Sequence, residues 1–428
     1  MRSQHLRQGW VFRTVAFIQA AVFISSTFAL PLKAYAQSVM ELPAPGAMVS
    51  LSDAYVPVML RAVKIHPDQP LVFDFIVDSG NTNASQEDVR KESEKLAKYF
   101  LASLTIPEKD LWVNLSPYEQ DRVVPEMFGQ TQMGRDLLAQ DYILKQISAS
   151  LIHPEKDLGK EFWDRVNTRV SQELGTSEIP ANTFNKVWVI PEKAVVYEVK
   201  GTNAAVIGET HLKVMLEQDY LAMKNNMGDA LAGLAQMPGD TGNEAGRIST
   251  DAIRAIILPE IEKEVNVGRN FAALRQVYST LVLATWYKEN LKESLLAQVY
   301  ADQNKIAGVD VADKAQKEKI YEQYIAAYRQ GVFNLIKEEV DPLTRETLPR
   351  KYFSGGNVLT TTSKIRETRK VAAAEVPREY ARPTVPGRDF SQVTVAVADA
   401  AELNVMHYKA PLALPMESLT AQSLPNLV

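Results

Sequence analysis

Phe75-Ile76-Val77-Asp78-Ser79-Gly80 is the sharpest chemical signal in the chain. An apolar run ending in Asp-Ser/Thr-Gly presents a carboxylate at a strand end, as peptide hydrolysis by paired aspartates requires. Two such carboxylates share one proton, because like charges about 3 Å apart do not both ionise. The apolar lead-in occurs once, so this chemistry would need a dimer, and a polar stretch with a helix start follows Gly80. The plainer role is a strand end closed by an Asp-Ser-Gly turn. The same stretch, Asp78 to Asp88, offers the oxygens of Asn81, Asn83, Ser85 and Glu87. Calcium takes six to eight oxygens, yet the glycine and terminal glutamate spacing of an EF-hand loop are missing, so a solvated cap loop is expected.

A second cluster is Trp112, Asn114, Tyr118, Glu119 and Arg122, followed by Arg135, Asp136, Asp141 and Lys145. A flat aromatic face beside directional donors and acceptors suits a carbohydrate or peptide groove. Trp112, Asn114, Tyr118, Arg122 and Arg135 are the candidate binding residues. Glu119 with Asp136 or Asp141 would be a glycosidase carboxylate pair if their separation suited the mechanism. The competing reading makes Trp112 a packing aromatic and Asp141 with Lys145 an i,i+4 surface pair. Glu209-x-His211 lacks the second histidine of a helical zinc motif and reads as a histidine at a helix start. Tyr321, Tyr324, Tyr328, Trp286 and Tyr287 are expected to pack. No cysteine, only five histidines, no G-x-S-x-G elbow, no phosphate-binding P-loop and no G-x-G-x-x-G turn leave neither metal nor cofactor predicted.

The elements that must position these residues read as follows. Residues 37–69 are proline-punctuated and extended, and Leu71 to Val77 is a strand. Ser85-Gln86-Glu87-Asp88 is a capping box opening a helix through Leu104. A short helix starts at Ser116-Pro117, and further helices cover 134–152 and 155–174. Lys186 to Ile190, Ala194 to Lys200 and Ala204 to Ile207 form a small β-meander broken at Pro191, before a helix from about His211. Residues 238–249 are a turn-rich linker. Stripes over 250–266, 270–301 and 313–339 predict three helices packed on one another, since an apolar stripe does not stay in water. Beyond Gly355-Gly356 no helical face survives, so 357–428 reads as a flexible tail, with strand-like alternation at Ser391 to Ala398. The fold class is α+β, predominantly helical. Its parts are a mixed domain over 37–237, the linker at 238–249, a helical bundle over 250–356 that packs with the first domain or apart from it, and the tail.

Arg2, Arg7 and Arg13 precede Thr14 to Leu30, 17 uncharged residues, and then Ala34-Tyr35-Ala36. That is the pattern of a secretory signal peptide trimmed after Ala36. An uncleaved N-terminal anchor is the alternative, although Gln19, Ser25, Ser26 and Thr27 dilute the apolar run. Trimming removes four basic residues and no acidic one, which takes the formal charge from −5 to −9. Such a balance repels phosphate backbones and argues against a nucleic-acid partner.

Leu111 to Glu119, Gly134 to Tyr142, Phe184 to Ile190, Leu283 to Lys288 and Pro349 to Gly356 resemble blocks of an uncharacterised family of bacterial proteins. The likeness spans roughly residues 41–356 and stops before the tail. It implies a domain extent and no chemistry. The expectation is therefore an exported protein of the periplasm or exterior that works by contact, as a scaffold or binding component with an envelope protein or polysaccharide as partner. Membrane association is expected only through an uncleaved leader. The rival is a secreted hydrolase using Asp78 or the Glu119 and Asp136 carboxylates.

Overall fold

The computed structural model describes residues 42–45, 47, 49–66, 72–80, 85–116, 123–152, 160, 164–165, 168, 171–172, 187–227, 244–290, 316–329, 338–340, 347–349, 356–360, 365–372, 375–376 and 405–409. The chain divides into residues 1–41 and 42–428, so the expected leader lies outside the described residues. Along the second unit run β1 (Met59–Ile65), β2 (Val72–Asp78), α1 (Gln86–Thr105), β3 (Trp112–Val113), α2 (Glu126–Gly129) and α3 (Gln132–Ile152). Then come β4 (Val187–Val199), β5 (Ala204–Leu216), α4 (Glu217–Met227), α5 (Glu244–Val267), α6 (Ala272–Asn290) and α7 (Gln316–Arg329). The last elements are β6 (Glu338–Val340), β7 (Thr347–Pro349), β8 (Asn357–Val358), β9 (Arg366–Val371) and β10 (Val405–Lys409).

One mixed sheet organises the unit, in the order β10-β2-β1-β5-β4-β8-β3, with β9 also on β4; β6 and β7 pair separately. Its spine is the antiparallel β4–β5 hairpin, turned through Gly201 (φ 78°) and Asn203 (φ 51°). All of β2 is buried, and Phe73 and Phe75 pack edge-on to Phe100 of α1 with ring centroids 5.2 and 5.1 Å away. Tyr287 of α6 closes this cluster 5.2 Å from Phe73, each such contact adding about 0.5–1.5 kcal/mol beyond area burial. Helix α1 starts where the capping box places it: Ser85 Oγ accepts from Asp88 N, and the Asp88 carboxylate reaches back to Ser85 N. Helix α6 is buried nearly all round from Ala273 to Tyr287, so it is a core helix and not an amphipathic one.

The strand at 72–78 and the helices at 86–105 and 132–152 lie where the residue pattern puts them. Four expectations change. The three-strand meander is a two-strand hairpin, because β4 continues through Pro191 with a shift of register just beyond it. The helix expected from His211 starts at Glu217, since buried Leu212, Val214 and Leu216 alternate with more open neighbours at strand period. The tail contributes β8, β9 and β10 to the sheet. Four consecutive residues of β9, Glu367 to Lys370, are exposed, so its pairing comes from β4's backbone and leaves no apolar pattern to read. Finally, α6 packs chiefly on α1 and also on α3, β1 and β5, α5 lies on β5, and α7 on α3. An amphipathic stripe demands a cover without naming it, and here sheet and earlier helices supply most of that cover. The Ser391 to Ala398 alternation and the 238–243 part of the linker lie outside the described residues, as do all but a few helical positions of 155–174.

Candidate functional site

Asp78 ends β2 and is buried. Its Oδ2 accepts from Arg61 Nε at 3.0 Å and its Oδ1 from Gly80 N at 2.9 Å, so the carboxylate ties its own turn. Gly80 has φ 66°, and a Cβ there would lie 2.1 Å from Val56 O, which explains the glycine. A second Asp-Thr-Gly, at 240–242, follows Pro-Gly instead of an apolar run and lies outside the described residues.

The described members of the aromatic and carboxylate cluster are spread over β3, the segment that follows it and α3. Trp112 is half-buried on β3 and pairs with Val358, while Asn114 is buried just beyond it. Tyr118, Glu119 and Arg122 lie outside the described residues. Arg135 is buried on α3. Asp136 keeps some exposure although protein surrounds it; its Oδ2 accepts the Tyr99 hydroxyl of α1. Burial raises the Asp136 pKa despite nearby Lys95, and burial followed by the Asp136 charge raises that of Tyr99 well above the usual phenol value.

Asp141 and Lys145 are i,i+4 partners as expected, but the pair is wholly interior: the side chains are 0% and 1% exposed. Asp141 Oδ2 accepts from Lys145 Nζ and from Leu115 N, both at 2.6 Å, and Oδ1 has no hydrogen-bond partner among the described residues. Burial raises this carboxyl and Lys145 opposes the shift. The pair thus anchors the 111–116 segment to α3. His211 sits on β5 and not at a helix start; its Nδ1 lies 2.7 Å from Glu192 Oε2 and its Nε2 3.9 Å from Glu262 Oε1. No group of three or more metal-ligating side chains occurs among the described residues. Tyr324, Trp286 and Tyr287 are buried packing residues.

A concave feature formed by described residues lies elsewhere, beside Pro191. Val189 N donates to Gly356 O, and Ala194 N donates to Ile365 O, both on the outer flank of β4. Pro191, two residues past Val189, turns its nitrogen the same way and has no proton to give. Val189 and Ala194 are five residues apart, whereas their partners Asn357 and Arg366 are nine apart. The surplus prevents continuous pairing, and a cavity of about 430 Å³ fills the gap.

Ile190, Pro191, Met215, Tyr220, Met223 and Ile365 give the cavity an apolar wall, with Glu192, Lys213 and Lys224 among its charged residues. Tyr220 stacks on Trp188, centroids 4.7 Å apart, and burial raises its pKa. Helix α4 is pinned beside the hairpin by Arg254 of α5, whose Nε and Nη2 reach the two Asp219 oxygens at 3.0 and 2.7 Å. Helix α5 also covers the opposite edge of β5. Asn266 Oδ1 accepts from Leu212 N at 3.0 Å, its Nδ2 donates to Leu212 O at 2.8 Å, and Glu262 Oε2 accepts from Val214 N at 2.9 Å.

No residue of this cavity figured among the candidates from sequence. The available signals were a proline inside strand alternation and two methionines flanking a tyrosine, Met215, Tyr220 and Met223. Each is common in ordinary packing, and only the pairing of Asn357 and of β9 with β4 turns them into a wall. Comparison with family models, curated proteins and solved structures returns no match to this chain.

Proposed function

We propose that this is an exported, non-catalytic binding protein of the cell envelope or exterior, and that the cavity beside Pro191 is its contact site. One observation carries the reading. The described carboxylates that sequence nominated are each held by structural partners, Asp78 by Arg61 and its own turn, Asp136 by Tyr99, and Asp141 by Lys145 and Leu115 N, while the cavity beside Pro191 has a mainly apolar wall with a few charged residues. A hydrolase needs its acid and base converging on a water-accessible cleft. Apolar concavity with a few polar groups is instead what binding uses. No helix among the described residues is long and apolar enough to cross a membrane.

Crosslinking the native protein in its own cells tests this. A discrete, reproducible partner or bound molecule is the expected result. Turnover of a peptide or peptidoglycan library, abolished in folded Asp78→Asn or Glu119→Gln protein, would replace the binding reading with the hydrolase.

A further inference from the structure

We propose that the cavity between β4, β5 and α4 takes a small amphiphile, an apolar chain ended by a carboxylate or a phosphate. The inference rests on the binding reading above and names its ligand class. The wall supplies the apolar half: Ile190, Pro191, Met215 and Met223 are hydrocarbon or thioether, and methionine adapts to flexible chains. The volume, about 430 Å³, lies inside the range of roughly 300–1,000 Å³ for small-molecule sites.

Charge selects the other half. Glu192 is already engaged, with His211 Nδ1 at 2.7 Å and Lys213 Nζ at 3.8 Å. Lys213 is shared with Glu262 at 3.6 Å. Lys224 lines the same cavity from α4 and, among the described residues, makes no ion pair. Lys224 is thus the lining charge left without an ion pair among the described residues, and an anionic end complements it. The net negative chain opposes an anion only from afar, since screening at physiological salt acts over about 8 Å.

Calorimetric titration of the mature chain with four ten-carbon probes tests this: decanoate, decyl phosphate, decanol and decyltrimethylammonium. The two anions are expected to bind saturably at one site, about fivefold tighter than decanol, with the cation weakest. A preference between decanoate and decyl phosphate tells a fatty acid from a phosphate headgroup. Lys224→Gln is expected to erase the anion preference while leaving decanol binding unchanged. Met223→Trp, which fills the cavity from a half-exposed helix position, is expected to abolish binding of all four. The proposal is overturned if no probe saturates, if decanol or the cation matches the anions, or if binding survives Met223→Trp. Failure here with a crosslinked partner still present removes the ligand class and leaves the binding reading. Hydrolysis of a decanoyl ester at this cavity would remove both.

Discussion

Asp141 and Asp136 look alike in sequence, acidic residues on one helix near aromatics and arginines, yet one holds a buried lysine and the other a buried tyrosine. Spacing alone exposed the i,i+4 relation of Asp141 and Lys145 and left their depth hidden, because depth depends on what covers α3. The same ambiguity hid His211, whose neighbours Glu192 and Glu262 come from another strand and a helix. Two predictions belong at this scale. Lys145→Met leaves the Asp141 charge buried without its cation and should cost about 3–5 kcal/mol in urea unfolding. The double variant Asp141→Asn with Lys145→Met should recover much of that loss. For Asp136, burial raises the folded pKa, so its contribution to stability is fully present below the unfolded value, about 3.9, and is lost as pH rises through the folded one. Asp136→Asn cannot ionise. Its Tm relative to the parent should therefore climb from pH 4 to pH 7; a difference that is flat or falls over that window would refute the assignment.

Elements were legible where one segment carries its own instruction. The Ser85 capping box, the apolar run of β2 and the stripe of α3 needed no partner to be recognised. Strands β8 and β9 were missed because their pairing is borrowed from β4, and β5 was cut short because its second half begins at Glu209 and Thr210, which are not apolar. Pro191 read as a strand break although the strand continues, its missing proton falling on the outer flank between the residues that β8 and β9 pair. Asn266 is the corresponding device on the other edge. Asn266→Ala strands the buried Leu212 amide and carbonyl and should destabilise by about 1–3 kcal/mol, with faster hydrogen exchange at Leu212 as the local readout. Gly356 tests the cavity's far wall: a Cβ would stand 2.1 Å from Val113 O. Gly356→Ala should cost roughly 1–3 kcal/mol and weaken ligand binding together with stability.

The second unit takes its sheet from both sides of the expected linker, whose residues 244–249 are the first turns of α5, since β8, β9 and β10 pair with β4 and β2. Helix α6 likewise packs on α1. A chain wired this way should unfold in one transition, with circular dichroism and tryptophan fluorescence coincident. Two separated transitions would show that the halves fold apart. Residue pattern made mixed helix and strand legible, but not which distant segments share a sheet, because pairing partners carry no mark of one another. The central claim, contact through the cavity beside Pro191, is tested most directly by native mass spectrometry of the protein recovered from its own source. The account predicts a bound anionic amphiphile on the parent chain and a bare mass for Met223→Trp. Bare masses for both, together with turnover lost in Asp78→Asn or Glu119→Gln, would contradict it.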